Sequence, residues 1–138
     1  MRQRLIIAVI GAALVNLVLA CGADSADTPS AGAWPEQRID AGAVTVTITP
    51  ERIDADGAVF SVVLDTHTVE LTMDLTAAQL DVDGTPWTGA RWSGDGPNGH
   101  HRSGQLQFDA SGTARKTATL TLPGFPAPVQ ASWDITGD

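Results

Sequence analysis

The stretch VTVTITPERIDADGAVFSVVL, residues 44 to 64, decides the fold. Val44, Val46 and Ile48 alternate with Thr45, Thr47 and Thr49, and Phe60, Val62 and Leu64 alternate with Ser61, Val63 and Asp65. A period of two sends successive side chains to opposite faces, the mark of a half-buried strand and not of a helix. Between the two runs stands Asp54-Ala55-Asp56-Gly57, and an Asp-Gly pair between apolar runs is a strong hairpin signal.

The same period continues outward. Val69, Leu71, Met73 and Leu75 follow it, then Leu106 and Phe108, then Ala118, Leu120 and Leu122, and last Val129, Ala131, Trp133 and Ile135. Asp83-Gly84, Gly94 to Gly99, Ser111-Gly112 and Pro123 to Pro128 punctuate these runs with turn chemistry, and only Thr76 to Leu80 suits a helical turn. Strands recurring at about 8 to 12 residues, each with one apolar face, predict an all-β domain over residues 34–138. The predicted architecture is an antiparallel two-sheet sandwich of immunoglobulin-like type, with a small barrel as the runner-up. Inward positions are even-numbered through Leu64 and odd-numbered from Val69. The change of phase therefore predicts a kink at Asp65-Thr66-His67-Thr68.

The first 33 residues have a different character. Arg2 and Arg4 precede an apolar run from Leu5 to Ala20, which is too short for a bilayer span of about twenty residues and ends at Cys21. This reads as a secretory signal over residues 1–20. The segment VLAC, Val18 to Cys21, resembles the lipobox of bacterial lipoprotein precursors. That resemblance implies cleavage before Cys21, acylation of its thiol, and a cell-membrane address facing the extracytoplasmic side. Residues 22 to 33, GADSADTPSAGA, carry no large apolar side chain and read, with Cys21, as a flexible linker.

Composition removes whole classes of function. Sixteen acidic against eight basic residues give −8 at pH 7, so the chain lacks the basic surface that nucleic-acid binding needs. Loss of Arg2 and Arg4 on processing takes the −8 to −10, which confines contact with anionic lipid to the anchor. A single cysteine excludes an internal disulfide, multi-cysteine zinc or iron–sulfur sites, and a blue-copper thiolate within the domain. The turns DADG and DVDG lack the ligand spacing of a calcium loop, and no G-x-S-x-G elbow precedes a helix. No catalytic motif is evident, which points away from an enzyme.

Three histidines remain. His67 falls at the predicted kink, and His100 and His101 lie in the loop GDGPNGHHRSG, residues 94 to 104. With Asp65 two positions from His67, these residues make a candidate zinc or copper site if kink and loop meet. Trp133 alternates with core residues and reads as core, whereas Trp87 and Trp92 flank the approach to the loop and, with Arg102, are candidates for a ligand groove. Arg91 and Arg102 are candidate partners for Asp95. The segments LDTHTVEL, Leu64 to Leu71, and GHHRSG, Gly99 to Gly104, resemble a motif pair in uncharacterised secreted bacterial sandwich proteins. That resemblance implies that kink and loop belong together, and it brings no activity with it. The expectation is a lipid-anchored extracytoplasmic module that binds an envelope protein or a small ligand, with metal binding through His67, His100, His101 and Asp65 as the alternative.

Overall fold

The structure is a computed structural model and describes residues 34–114 and 116–136. The signal segment, Cys21 and the linker lie outside the described residues. Among the described residues eight strands follow in order: β1 Gln37–Ala41, β2 Val44–Asp54, β3 Gly57–Thr66, β4 Gln79–Val82, β5 Thr85–Gly94, β6 His101–Asp109, β7 Thr117–Leu122 and β8 Val129–Asp134. One 3-10 turn, Leu75–Ala77, precedes β4; Asp74 caps it by accepting from the backbone N–H of Thr76.

The β2–β3 hairpin forms as its residues dictate. Asp54 Oδ1 accepts from the N–H of Asp56 at 2.8 Å, and Gly57 sits at φ 142° with the carbonyl of Phe108 2.3 Å from where a Cβ would stand. Only glycine fits there. In β2 a bulge between Pro50 and Arg52 switches the inward face from even positions to Ile53.

All strand pairs are antiparallel, and they make one eight-stranded sheet in the order β1-β2-β3-β6-β5-β4-β7-β8. This corrects the immunoglobulin-like two-sheet sandwich: instead of two separate sheets there is one, curled until its edge strands nearly meet. The physical cause is β5. Its first part, Thr85 to Trp87, pairs with β4, and from Thr88 onward it pairs with β6. A bulge between Thr88 and Arg91, with Gly89 at φ 72°, turns the strand from one half of the sheet into the other. Between β1 and β8 the gap is bridged by side chains: Gln37 Nε2 donates to the Ser132 carbonyl at 2.6 Å and Trp133 Nε1 to the Pro35 carbonyl at 2.8 Å.

Inward side chains fill the barrel. Phe60 lies at its centre, edge-on to Phe108 at 6.2 Å and tilted against Trp133 at 5.4 Å. Val46, Ile48, Val62, Leu64, Leu106 and Leu120 close around them, each without appreciable exposure. Trp133 is core, as its alternation predicts.

The segment after β3 departs from expectation. Val69 to Leu75 forms no strand; Leu71 and Leu75 are buried, whereas Val69 is 39% exposed. Apart from local bonds such as Thr72 N–H to Glu70 O, it pairs with the neighbouring loop through Leu71, whose N–H donates to Gly99 O and whose carbonyl accepts from Asn98 N, both at 3.0 Å. Residues 67 to 74 thus cross the end of the barrel as a strap, with Leu71 as its buried foot.

Candidate functional site

The barrel end under this strap gathers Asp65, Asp95, His101, Arg102 and Ser103. Thr66, the last residue of β3, donates its N–H to His100 O at 2.9 Å and its hydroxyl to Ala43 O at 2.8 Å, and is itself buried. Kink and loop are therefore side by side. Asp65 on β3 is the register partner of His101 on β6, so both side chains leave the same outer face. His101 Nδ1 lies 2.6 Å from Asp65 Oδ1, with the two side chains 60% and 53% exposed. A pair this open adds little to stability, about 0 to 1 kcal/mol. Its effect is orientation: the carboxylate holds the ring by one nitrogen and leaves Nε2 as the atom for an outside partner.

The other two histidines do not join this pair. His67 follows the last residue of β3 and is exposed, and His100 precedes β6 and contributes its carbonyl to Thr66. Among the described residues, no group of three or more His, Cys, Asp or Glu side chains is placed to hold a metal ion. Of His67, His100, His101 and Asp65, the residues considered for zinc or copper, the contact on the page is the one between His101 and Asp65. The register unites one carboxylate with one imidazole, short of the three protein ligands that even an open zinc site employs.

Behind the pair the loop is tied down by Asp95. Its Oδ2 accepts from Ser103 N at 2.8 Å and from Ser103 Oγ at 3.1 Å, while its own N–H donates to Ser103 O at 2.9 Å. The Ser103 N–H, then its hydroxyl, hold the Asp95 carboxyl below the usual carboxylate range, with smaller contributions from the charges of His101 and Arg102.

Arg102 is the inward neighbour of these groups and is only 3% exposed. Its guanidinium donates to the carbonyls of Met73 at 2.9 Å, Leu71 at 3.3 Å and Asp95 at 3.4 Å, and stacks 5.6 Å from the centre of the Trp92 ring. Trp92 is half-buried and donates Nε1 to Asp95 O at 2.8 Å. Gly104 makes room for this stack, since a Cβ there would stand 2.8 Å from Trp92 Cζ2 and 2.5 Å from Ser93 O. Arg102 and Trp92 thus staple strap to loop.

Trp87 lies elsewhere: as the register partner of Leu80 in the β4–β5 ladder it faces inward and is core, at 4% exposure. Arg91 does not reach Asp95. It pairs through both Nη atoms with Asp109, at 2.8 and 2.9 Å, near the other end of β5. That pairing raises the Arg91 pKa and lowers that of Asp109.

Sequence reasoning placed Asp65, His101 and the loop, and missed Thr66, Ser103 and the burial of Arg102. For Arg102 a signal existed: it shares parity with Leu106 and Phe108, hence the inward face of β6. Comparisons with protein families, with curated proteins and with solved structures find no match for this chain.

Proposed function

We propose that this protein is a lipid-anchored, extracytoplasmic binding module that meets its partner, an envelope protein or other envelope component, at the barrel end carrying Asp65 and His101. The observation that supports this most directly is the 2.6 Å contact between these two side chains on an outer face where both are more than half exposed. It fixes an imidazole toward solvent without serving the core. The packed interior adds support: side chains occupy the space in which a larger barrel would enclose a ligand, which moves recognition to the outside. The lipobox-like VLAC segment and the linker after it supply the tether.

The reading is a non-enzymatic one. A nucleophile activated by His101 would hydrogen-bond to its ring, and the nearest hydroxyl along β6, that of Ser103, donates to Asp95 instead. The test is retention of envelope components on immobilised wild-type protein beside an Asp65→Asn/His101→Ala double variant. Wild type should retain a component that the variant, with unchanged circular dichroism, releases. Equal retention by both, or none by wild type, refutes the assignment.

A further inference from the structure

We propose that Asn98-Gly99 is a site of spontaneous covalent modification, at which the Asn98 carboxamide loses ammonia and the loop passes to an isoaspartyl form that lets go of the strap. The site uses neither Asp65 nor His101 and stands independently of the reading above. Asn98 is the only asparagine among the described residues, and asparagine is one of the thermally labile residue types. The residue after it shields it least: Gly99 has no side chain, and a Cβ built there would meet nothing within 4 Å. Both residues are exposed, at φ 87° and 79°, in the left-handed region that asparagine and glycine enter more readily than most.

The hydrogen bonds leave the reacting groups free. Asn98 N–H donates to Leu71 O and Gly99 O accepts from Leu71 N–H, both at 3.0 Å, so the two outer ends of the dipeptide are pinned to the strap. Among the described residues, the Asn98 carbonyl, the Asn98 carboxamide and the Gly99 N–H have no hydrogen-bond partner. The peptide group between the pins is therefore able to turn without breaking either bond. Asp95-Gly96, in the same loop, differs: Ser103 N–H and Oγ hold the Asp95 carboxylate away from the chain that follows it.

The chemistry needs only water. The Gly99 nitrogen attacks Cγ of Asn98; the N–Cγ bond forms, the Cγ–Nδ2 bond breaks, and the Gly99 proton departs with Nδ2 as ammonia. Nothing is oxidised or reduced, and the product is a cyclic imide. Water then opens the ring at one of its two carbonyls. Opening at Cγ restores the peptide bond and leaves an aspartate side chain. Opening at the main-chain carbonyl routes the chain through Cβ and Cγ and leaves a free carboxylate on Cα.

Position makes the second product consequential. It adds a backbone carbon between Asn98 N and Gly99 O, the two atoms whose spacing matches Leu71. With that spacing changed, the strap loses its backbone pairing with the loop, and the Arg102 guanidinium is left to hold Leu71 and Met73 by their carbonyls. The aspartyl product keeps the spacing and so keeps the strap.

The test is ageing of the purified full chain in warm, mildly alkaline buffer. The tryptic peptide from Trp92 to Arg102 should gain the mass that separates a carboxylic acid from a carboxamide, and part of it should resist cleavage before residue 98 by an aspartate-specific protease. The folded chain should react within about threefold of the rate of a synthetic peptide of the same sequence, because an exposed loop opens at almost no cost in free energy. Asn98→Gly keeps the left-handed backbone without the carboxamide and should gain no mass. Amide exchange at Leu71 should quicken at least about tenfold in the isoaspartyl form, with β7 and β8 unchanged, whereas freshly prepared Asn98→Asp should exchange as wild type. The assignment is overturned if the peptide reacts and the folded chain does not, if Asn98→Gly gains the same mass, if the isoaspartyl form exchanges Leu71 as slowly as fresh protein, or if Asn98→Asp quickens it equally.

Discussion

Replacing Arg102 by alanine should detach the strap from the loop and cost the fold about 3 kcal/mol. The estimate starts from the bond to Met73 O at 2.9 Å, a charged donor on a neutral carbonyl, worth about 1.5 to 3 kcal/mol. The bonds to Leu71 O and Asp95 O, at 3.3 and 3.4 Å, are longer and add less, and the stack on Trp92 adds about 0.5 to 2 kcal/mol. Against these stands the cost of keeping a guanidinium that is only 3% exposed, which brings the net back to about 3 kcal/mol. For a domain of this size that lowers Tm by roughly 12 to 24 °C, and urea unfolding followed by circular dichroism gives the free energy directly. Arg102→Met fills the same volume without burying a charge and should lose less. Arg102→Lys keeps the charge, but a single ammonium does not span three carbonyls, so it should fall near alanine. Amide exchange adds a local readout, with the N–H groups of Leu71 and Asn98 opening faster than those of β7 and β8. A loss below about 1 kcal/mol, or exchange that quickens uniformly, would refute the staple.

The other consequences are simpler to measure. Gly104→Ala places a Cβ 2.5 Å from Ser93 O, against open space at Gly96, so it should cost about 1 to 3 kcal/mol in a thermal melt while Gly96→Ala stays near wild type. Asp74, Asp95, Asp109 and Asp134 all titrate below the usual carboxylate range because N–H, O–H or Arg91 donors favour their charged forms. The unfolded chain therefore binds protons first; their contribution is present above about pH 4 and is lost as pH falls through the lowered values. Asp95→Asn should flatten that acid-side decline of the urea midpoint, and an unaltered slope would exclude its part in it. Cys21→Ser should move the protein from the detergent phase to the aqueous phase in a two-phase separation, and wild type already partitioning into water would end the lipoprotein reading.

Secondary structure was largely legible because alternation is a local property. Val44 to Ile48 and Phe60 to Leu64 state their inward faces without reference to any other part of the chain, and Gly57 marks the hairpin between them. The same logic failed at Val69 to Leu75. Its alternation is equally regular, but a strand also needs a neighbour with free backbone groups, and only Leu71 finds one, at Asn98 and Gly99.

By itself, then, the sequence determined that this is an antiparallel all-β domain, which residues form most of its core, and that a polar kink and a histidine loop interrupt it. Whether those strands make two sheets or one depended on β5, where the bulge at Gly89 and Ala90 turns a single strand between two partners. A bulge is set by hydrogen bonds to other strands, and periodicity within one strand does not record it. The site followed the same division. Residue types named Asp65, His67, His100 and His101 together, but a face is shared only by residues in register. It was the pairing of β3 with β6 that chose His101 for Asp65 and sent Arg102, one position on, into the interior.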